Sequence, residues 1–179
     1  MNEELLFNIF LDLSFIALAI AYAISKERSL PKSLKQLGFR QIKAIALAKK
    51  TAILALALLG ASIGLNIALS FFNLNDLQLV AESVAESQAI APMFFWFIML
   101  RVISEEIFFR GLLTTKLGAL GSSIIFAGFH IGYLSIAEII GAFALGYILA
   151  KAFELNKNLY PNILAHALYN AIVLSAMMG

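Results

Sequence analysis

The sequence predicts an all-α fold, a polytopic membrane helix bundle of about six transmembrane helices with its polar residues gathered on a four-helix core. Three observations carry that prediction. The chain of 179 residues is 61% hydrophobic and 13% charged, which is more apolar surface than one soluble domain of that size hides. Its apolar residues come in runs of about 20, long enough to cross hydrocarbon, and not in 3.6-residue stripes backed by polar faces. Most of its Lys and Arg residues fall in a single connection. A net charge of +2 is small and says little by its sum; the lipid bilayer is the expected surrounding, and no nucleic-acid partner is expected. The absence of cysteine removes disulfides, thiolate nucleophiles and Cys-ligated metal together.

The first apolar run, 5–24, contains Ala21-Tyr22-Ala23, which is similar to a signal-peptidase site. It starts with Glu3 and Glu4 and no basic residue, whereas a signal peptide starts positive, so a retained first helix is expected. Five further runs follow at roughly 51–72, 91–113, 119–133, 136–151 and 161–178. The fourth and fifth runs are shorter than about 20 residues and are expected to be kinked or partly embedded. With no repeat or long linker, the chain divides into residues 1–90, N-terminal transmembrane helices with a basic loop, and residues 91–179, the transmembrane core.

The loop 25–50 holds Lys26, Arg28, Lys32, Lys35, Arg40, Lys43, Lys49 and Lys50 against the single acid Glu27, which places it on the cytoplasmic side. The next connection carries Asp76, Glu82 and Glu86 without a cation, and Lys116, Lys151 and Lys157 fall where the chain returns to the basic side. Both termini then face outward. With Leu37 and Phe39 interspersed, the basic loop can also lie on anionic headgroups, although a topology signal alone is the simpler reading.

Ionisable groups in hydrocarbon cost several kcal/mol each, so their presence asks for a use. Glu106 and Arg110 are four apart and share a helix face, which predicts a structural ion pair. Glu105 points about 100° away and is free to face a cavity, unless Arg101, four residues earlier, pairs with it. The two histidines of the chain lie on two other runs, with Phe126 four residues before His130 and Asn170 four residues after His166. Polar glue between helices is the plain alternative, but two histidines and a paired carboxylate on three runs favour a site. Asp12 and Glu138 are read as helix-pairing or interfacial groups, and Phe94, Phe95, Trp96 and Phe97 as lipid-facing packing.

Without cysteine, and with no Ser or Thr in an evident triad, attack by an activated water is more economical than an acyl-enzyme. Burial disfavours the ionised form of a Glu and makes it a better base toward water, while Asn and His hydrogens can meet a developing oxyanion. Glu105, His130 and His166 also make a three-ligand Zn site conceivable, although no His-Glu-x-x-His turn is present.

Three motifs in order, Glu105-Glu106-Ile107-Phe108-Phe109-Arg110, then Phe126-Ala127-Gly128-Phe129-His130, then His166-Ala167-Leu168-Tyr169-Asn170, resemble the CAAX-protease and bacteriocin-processing family, also called Abi. Its members include the Ras-converting endopeptidase of prenylated C-termini. Phe143 with Gly146, and Lys35-Gln36-Leu37-Gly38-Phe39-Arg40, are similar to looser family elements. The resemblance covers about residues 101–170 and implies a glutamate-type intramembrane endopeptidase in a prokaryotic cell membrane, acting on a membrane-associated peptide or protein. It implies catalytic roles for Glu105 as base with His130, and for His166 and Asn170 as oxyanion donors, with Glu106 and Arg110 in support. A cofactor is not expected, with Zn as the alternative. The prenyl-protein label does not carry over, since prokaryotes lack the usual protein prenylation. This chain is shorter than the Ras-converting members, Arg101 competes for Glu105, and the fourth run must tilt or shift to bring His130 inward. A proton- or cation-coupled transporter and an inactive membrane scaffold are the competing functions.

Overall fold

The computed structural model describes residues 3–80 and 99–178. Helix α1 spans Glu3–Glu27, α2 Leu30–Gln36 and α3 Ala44–Phe71. Helix α4 runs over 99–105 and continues through a π-helical segment, Glu106–Thr114, into α5, Thr115–Gly128. A 3-10 turn, Ile131–Tyr133, leads to α6, Ile136–Asn156, and α7, Leu159–Met178. There is no strand among the described residues. Glu82, Glu86, the Phe94–Phe97 stretch and the expected division near residue 90 lie outside the described residues.

Among the described residues, four helical stretches are long and apolar enough to cross a membrane: Leu6–Glu27, Ala44–Phe71, Met99–Tyr133 and Ile136–Asn156. The bundle is therefore a polytopic all-α membrane protein. The third and fourth expected runs are one helical stretch, bent at Gly118, whose φ of 71° and ψ of 176° only glycine adopts without strain. Beyond the bend, the free N–H of Ala119 donates to Glu154 Oε1 at 3.0 Å, and Lys151 holds the other oxygen of that carboxylate at 2.6 Å. Helix α7 has 20 residues, but Asn162, His166 and Asn170 interrupt its apolar character.

Local sequence explains where the helices start and stop. Gly38, with φ +103°, ends α2, and the Phe39 N–H reaches back to the Leu34 carbonyl at 2.9 Å, a Schellman-type closure. That turn is pinned across the bundle: the Leu159 N–H donates to Gly38 O at 2.9 Å, and Asn158 Nδ2 to Arg40 O at 2.8 Å. Asn158 Oδ1 in turn accepts from the Tyr160 N–H at 3.0 Å and caps α7. Leu37 and Leu159 join Phe153, Ile107, Val102 and Ala23 in one apolar cluster. A second gathers Phe15, Phe109, Phe126 and Ala142, and a third Leu54, Leu58, Leu149 and Ala165. Helix α3 lies against α6 and α7, and α1 against the π-helical segment, so the N-terminal helices wall the part of the chain that carries the Glu and His residues.

Candidate active site

The π-helical segment sets the geometry of the carboxylates. π segments are rare and occur mainly at functional positions. Here the loosened ladder is stabilised from outside, by Ser122 Oγ donating to the Phe109 carbonyl at 2.7 Å and Thr114 Oγ1 to the same oxygen at 2.9 Å. Its first residue, Glu106, is 0% exposed, yet its carboxylate is fully engaged. Arg110 Nη1 lies 3.2 Å from Oε1, Asn162 Nδ2 donates to Oε2 at 3.2 Å, and His166 Nδ1 lies 2.9 Å from Oε1. A carboxylate only accepts, so Nδ1 of His166 carries the hydrogen and Nε2 faces the other way.

Nε2 of His166 faces Glu105, with Oε2 at 4.0 Å. Glu105 is 8% exposed and makes no hydrogen bond within the described residues. Two adjacent carboxylates thus have unlike surroundings, one locked and one open. The expected ion pair of Glu106 and Arg110 is present. The competing pair of Arg101 with Glu105 is not: Arg101 Nε lies 3.5 Å from Asp12 Oδ1, and Nη2 donates to Asn8 Oδ1 at 2.9 Å. Asp12 is thereby the helix-pairing group the sequence suggested.

Arg110 is 1% exposed. Besides Glu106 it has the ring of Phe126, whose centroid is 4.3 Å from the guanidinium carbon, and the Gly146 carbonyl at 3.5 Å from Nη2. A methyl group on Gly146 would come within 2.9 Å of Phe126 Cδ1. That contact is why glycine stands at this position of α6. Phe126 also touches both histidines, with ring centroids 4.6 Å from His130 and 6.4 Å from His166.

His130 sits just past α5, where Nδ1 lies 2.9 Å from the Phe126 carbonyl and Nε2 lies 4.0 Å from Glu138 Oε1. Because a carbonyl only accepts, Nδ1 carries the hydrogen here as well. The histidine beside Glu105 is His166; among the described residues no hydrogen bond or ion pair joins His130 to Glu105. Glu138, which the sequence suggested was helix-pairing or interfacial, lies at the site's edge, facing His130. Asn170, half-buried one turn beyond His166, makes no hydrogen bond within the described residues. Its amide is free to donate.

Asn162 was not singled out by the sequence reading. It is 0% exposed and bridges Glu106 and the Leu149 carbonyl, the latter at 2.8 Å. The signal was available: Asn162, His166 and Asn170 recur every four residues on one face of α7. As for metal, no three His, Asp or Glu side chains among the described residues are grouped to hold an ion. Glu105, His130 and His166 form no such group among the described residues.

Fold and site together define an all-helical membrane protein with a buried glutamate–histidine centre. Residues 87–172 match the model of a family described as Rce1-like type II CAAX prenyl endopeptidase. A relative from Bacillus subtilis (strain 168), the uncharacterized protein YpbD, is 33% identical over 82 residues, which is 45% of this chain and 43% of the relative. No solved structure matches this chain.

Proposed function

We propose that the protein is an intramembrane glutamate-type endopeptidase that hydrolyses a peptide bond of a membrane-associated peptide or protein. The observation that carries this reading is the contrast between the two neighbouring carboxylates. Glu106 is held by Arg110, Asn162 and His166, so its oxygens are already occupied. Glu105 beside it is buried and makes no hydrogen bond within the described residues, which leaves its oxygens available to a water as a general base requires. Glu105 takes a proton from water as the water oxygen attacks the scissile carbonyl carbon and the carbonyl electrons move to oxygen. The Asn170 amide, and His166 through Nε2 when its ring is protonated, donate to that oxyanion, a contribution of about 2.7–4 kcal/mol per donor in comparable sites. Collapse breaks the C–N bond, and Glu105 returns its proton to the leaving amine. His130, with Glu138 behind it, holds the water from the other side.

The family match supports proteolysis, and the basic loop supports a cell-membrane orientation with residues 25–50 in the cytoplasm. The test is cleavage of a pooled library of membrane-tethered peptides by purified protein in nanodiscs, read by mass spectrometry, beside Glu105→Gln and with chelator. Defined products from the wild type, lost at least about a thousandfold in the variant and insensitive to chelator, are expected. A wild type that yields no product from a broad pool overturns the reading in favour of a transporter or scaffold. Chelator-sensitive cleavage would return zinc to the mechanism.

A further inference from the structure

Asp12 lies in α1, outside the matched segment 87–172, and a carboxylate in a spanning helix costs enough to need a reason. It is 1% exposed, and its Oδ2 is buried without a hydrogen-bond partner. Arg101 stands four residues before Glu105 on the helical stretch 99–105, the spacing at which a cation and a carboxylate on one helix meet. Left to its own helix, Arg101 would pair with Glu105. The structure shows it turned to α1 instead, against Asp12 Oδ1 at 3.5 Å and Asn8 Oδ1 at 2.9 Å. Ser104 Oγ, at 2.9 Å from Asp12 Oδ1, fixes the carboxylate in that position. Asp12, bonded to Ser104, stands beside the residue that precedes Glu105, so the Arg101 guanidinium has one candidate carboxylate on α1 and another four residues along its own helix.

We propose that Asp12 is a positioning residue that draws Arg101 onto α1 and so keeps Glu105 free of the Arg101 guanidinium and available as the base. The proposal rests on the proteolytic role given to Glu105. An arginine beside Glu105 would hold it as a tethered carboxylate, poorer at taking a proton from water and less able to turn toward substrate. The cation would remain in the site whatever the substrate, which makes α1 a determinant of activity without touching the reacting atoms.

The experiment uses the full chain in nanodiscs and two readouts. One is the rate at which dicyclohexylcarbodiimide, a reagent for protonated carboxyls in apolar surroundings, modifies Glu105, located by mass spectrometry. The other is kcat and KM for a cleaved peptide. Asp12→Asn lowers both the labelling rate and kcat by about tenfold with KM little changed, because the freed Arg101 moves to Glu105. Asp12→Asn combined with Arg101→Gln restores both to within about threefold of wild type. A purely structural role for Asp12 predicts no such recovery of labelling. Unchanged labelling and kcat in folded Asp12→Asn overturn the proposal. If Asp12→Asn does not fold, Asn8→Ala removes only the second acceptor of Arg101. It lowers labelling about twofold in the same direction, and no change overturns the proposal. Labelling that follows this pattern in a protein that releases no peptide would sink the protease reading while leaving the Asp12 assignment standing.

Discussion

Where α4 passes into the π-helical segment, neighbouring residues of one chemical type are separated by environment alone. Glu105 and Glu106 have the same pair of oxygens, yet three donors surround one and none bonds the other within the described residues. Removing the charge of Glu106 leaves Arg110 buried opposite a neutral amide, and breaking such a pair costs about 3–5 kcal/mol. Glu106→Gln is therefore expected to unfold at much lower denaturant concentration in detergent micelles, while Glu105→Gln keeps a midpoint close to wild type and loses only cleavage. Equal stability losses in the two variants would contradict the division of roles. The motif Glu105-Glu106-x-x-x-Arg110 predicted the Glu106–Arg110 pair, since four-residue spacing puts both groups on one face. It did not predict that Arg101 leaves Glu105 alone, because the competing carboxylate comes from α1, about ninety residues away in sequence.

Helices here are positioned by side chains from distant connections. Asp76, in the segment after α3, accepts from the Ser135 hydroxyl at 2.6 Å and from the N–H groups of Ile136 and Ala137 at 2.8 and 3.0 Å. It thereby caps the start of α6, the helix that carries Glu138 and Gly146. The Ser135 hydroxyl foremost, then the two N–H groups, hold the Asp76 carboxyl below its ordinary value of 3.8. A depressed carboxyl stabilises the fold fully above that ordinary value and loses its effect as pH falls through the lower, folded one. Asp76→Asn is expected to lower the unfolding midpoint at pH 7, with the deficit shrinking in the window below 3.8. A deficit of the same size at every pH would mean that the charge plays no part. The bend at Gly118 belongs to this scale as well. The sequence separates runs 91–113 and 119–133 around Gly118, but only the Ala119 contact with Glu154 shows that the helix resumes at once.

Across the whole molecule, the bundle is ordered by charge as well as by apolar packing. The loop 25–50 carries eight Lys and Arg against one Glu, and the turn at Gly38 ties that loop to the start of α7. Because the natural chain has no cysteine, orientation can be read cleanly from single introduced thiols. Lys32→Cys is expected to react with a membrane-impermeant maleimide only in inside-out vesicles, and Gln78→Cys only in right-side-out ones. Labelling of both from the same side would discard the proposed topology.

The sequence by itself determined the class of solvent, the all-helical architecture and the three motif-bearing segments, because apolar run length and four-residue spacing are local properties read in one dimension. It placed Glu106 with Arg110 and joined Phe126 to His130 for the same reason. Tertiary structure decided the rest. It chose His166 as the histidine facing Glu105, drew in Asn162 and Glu138, merged two expected runs into one bent helix, and gave Arg101 to Asp12. Each of those outcomes depends on which helix lies beside which. In a bundle whose partners come from segments tens of residues apart, packing settles that choice and spacing along the chain does not.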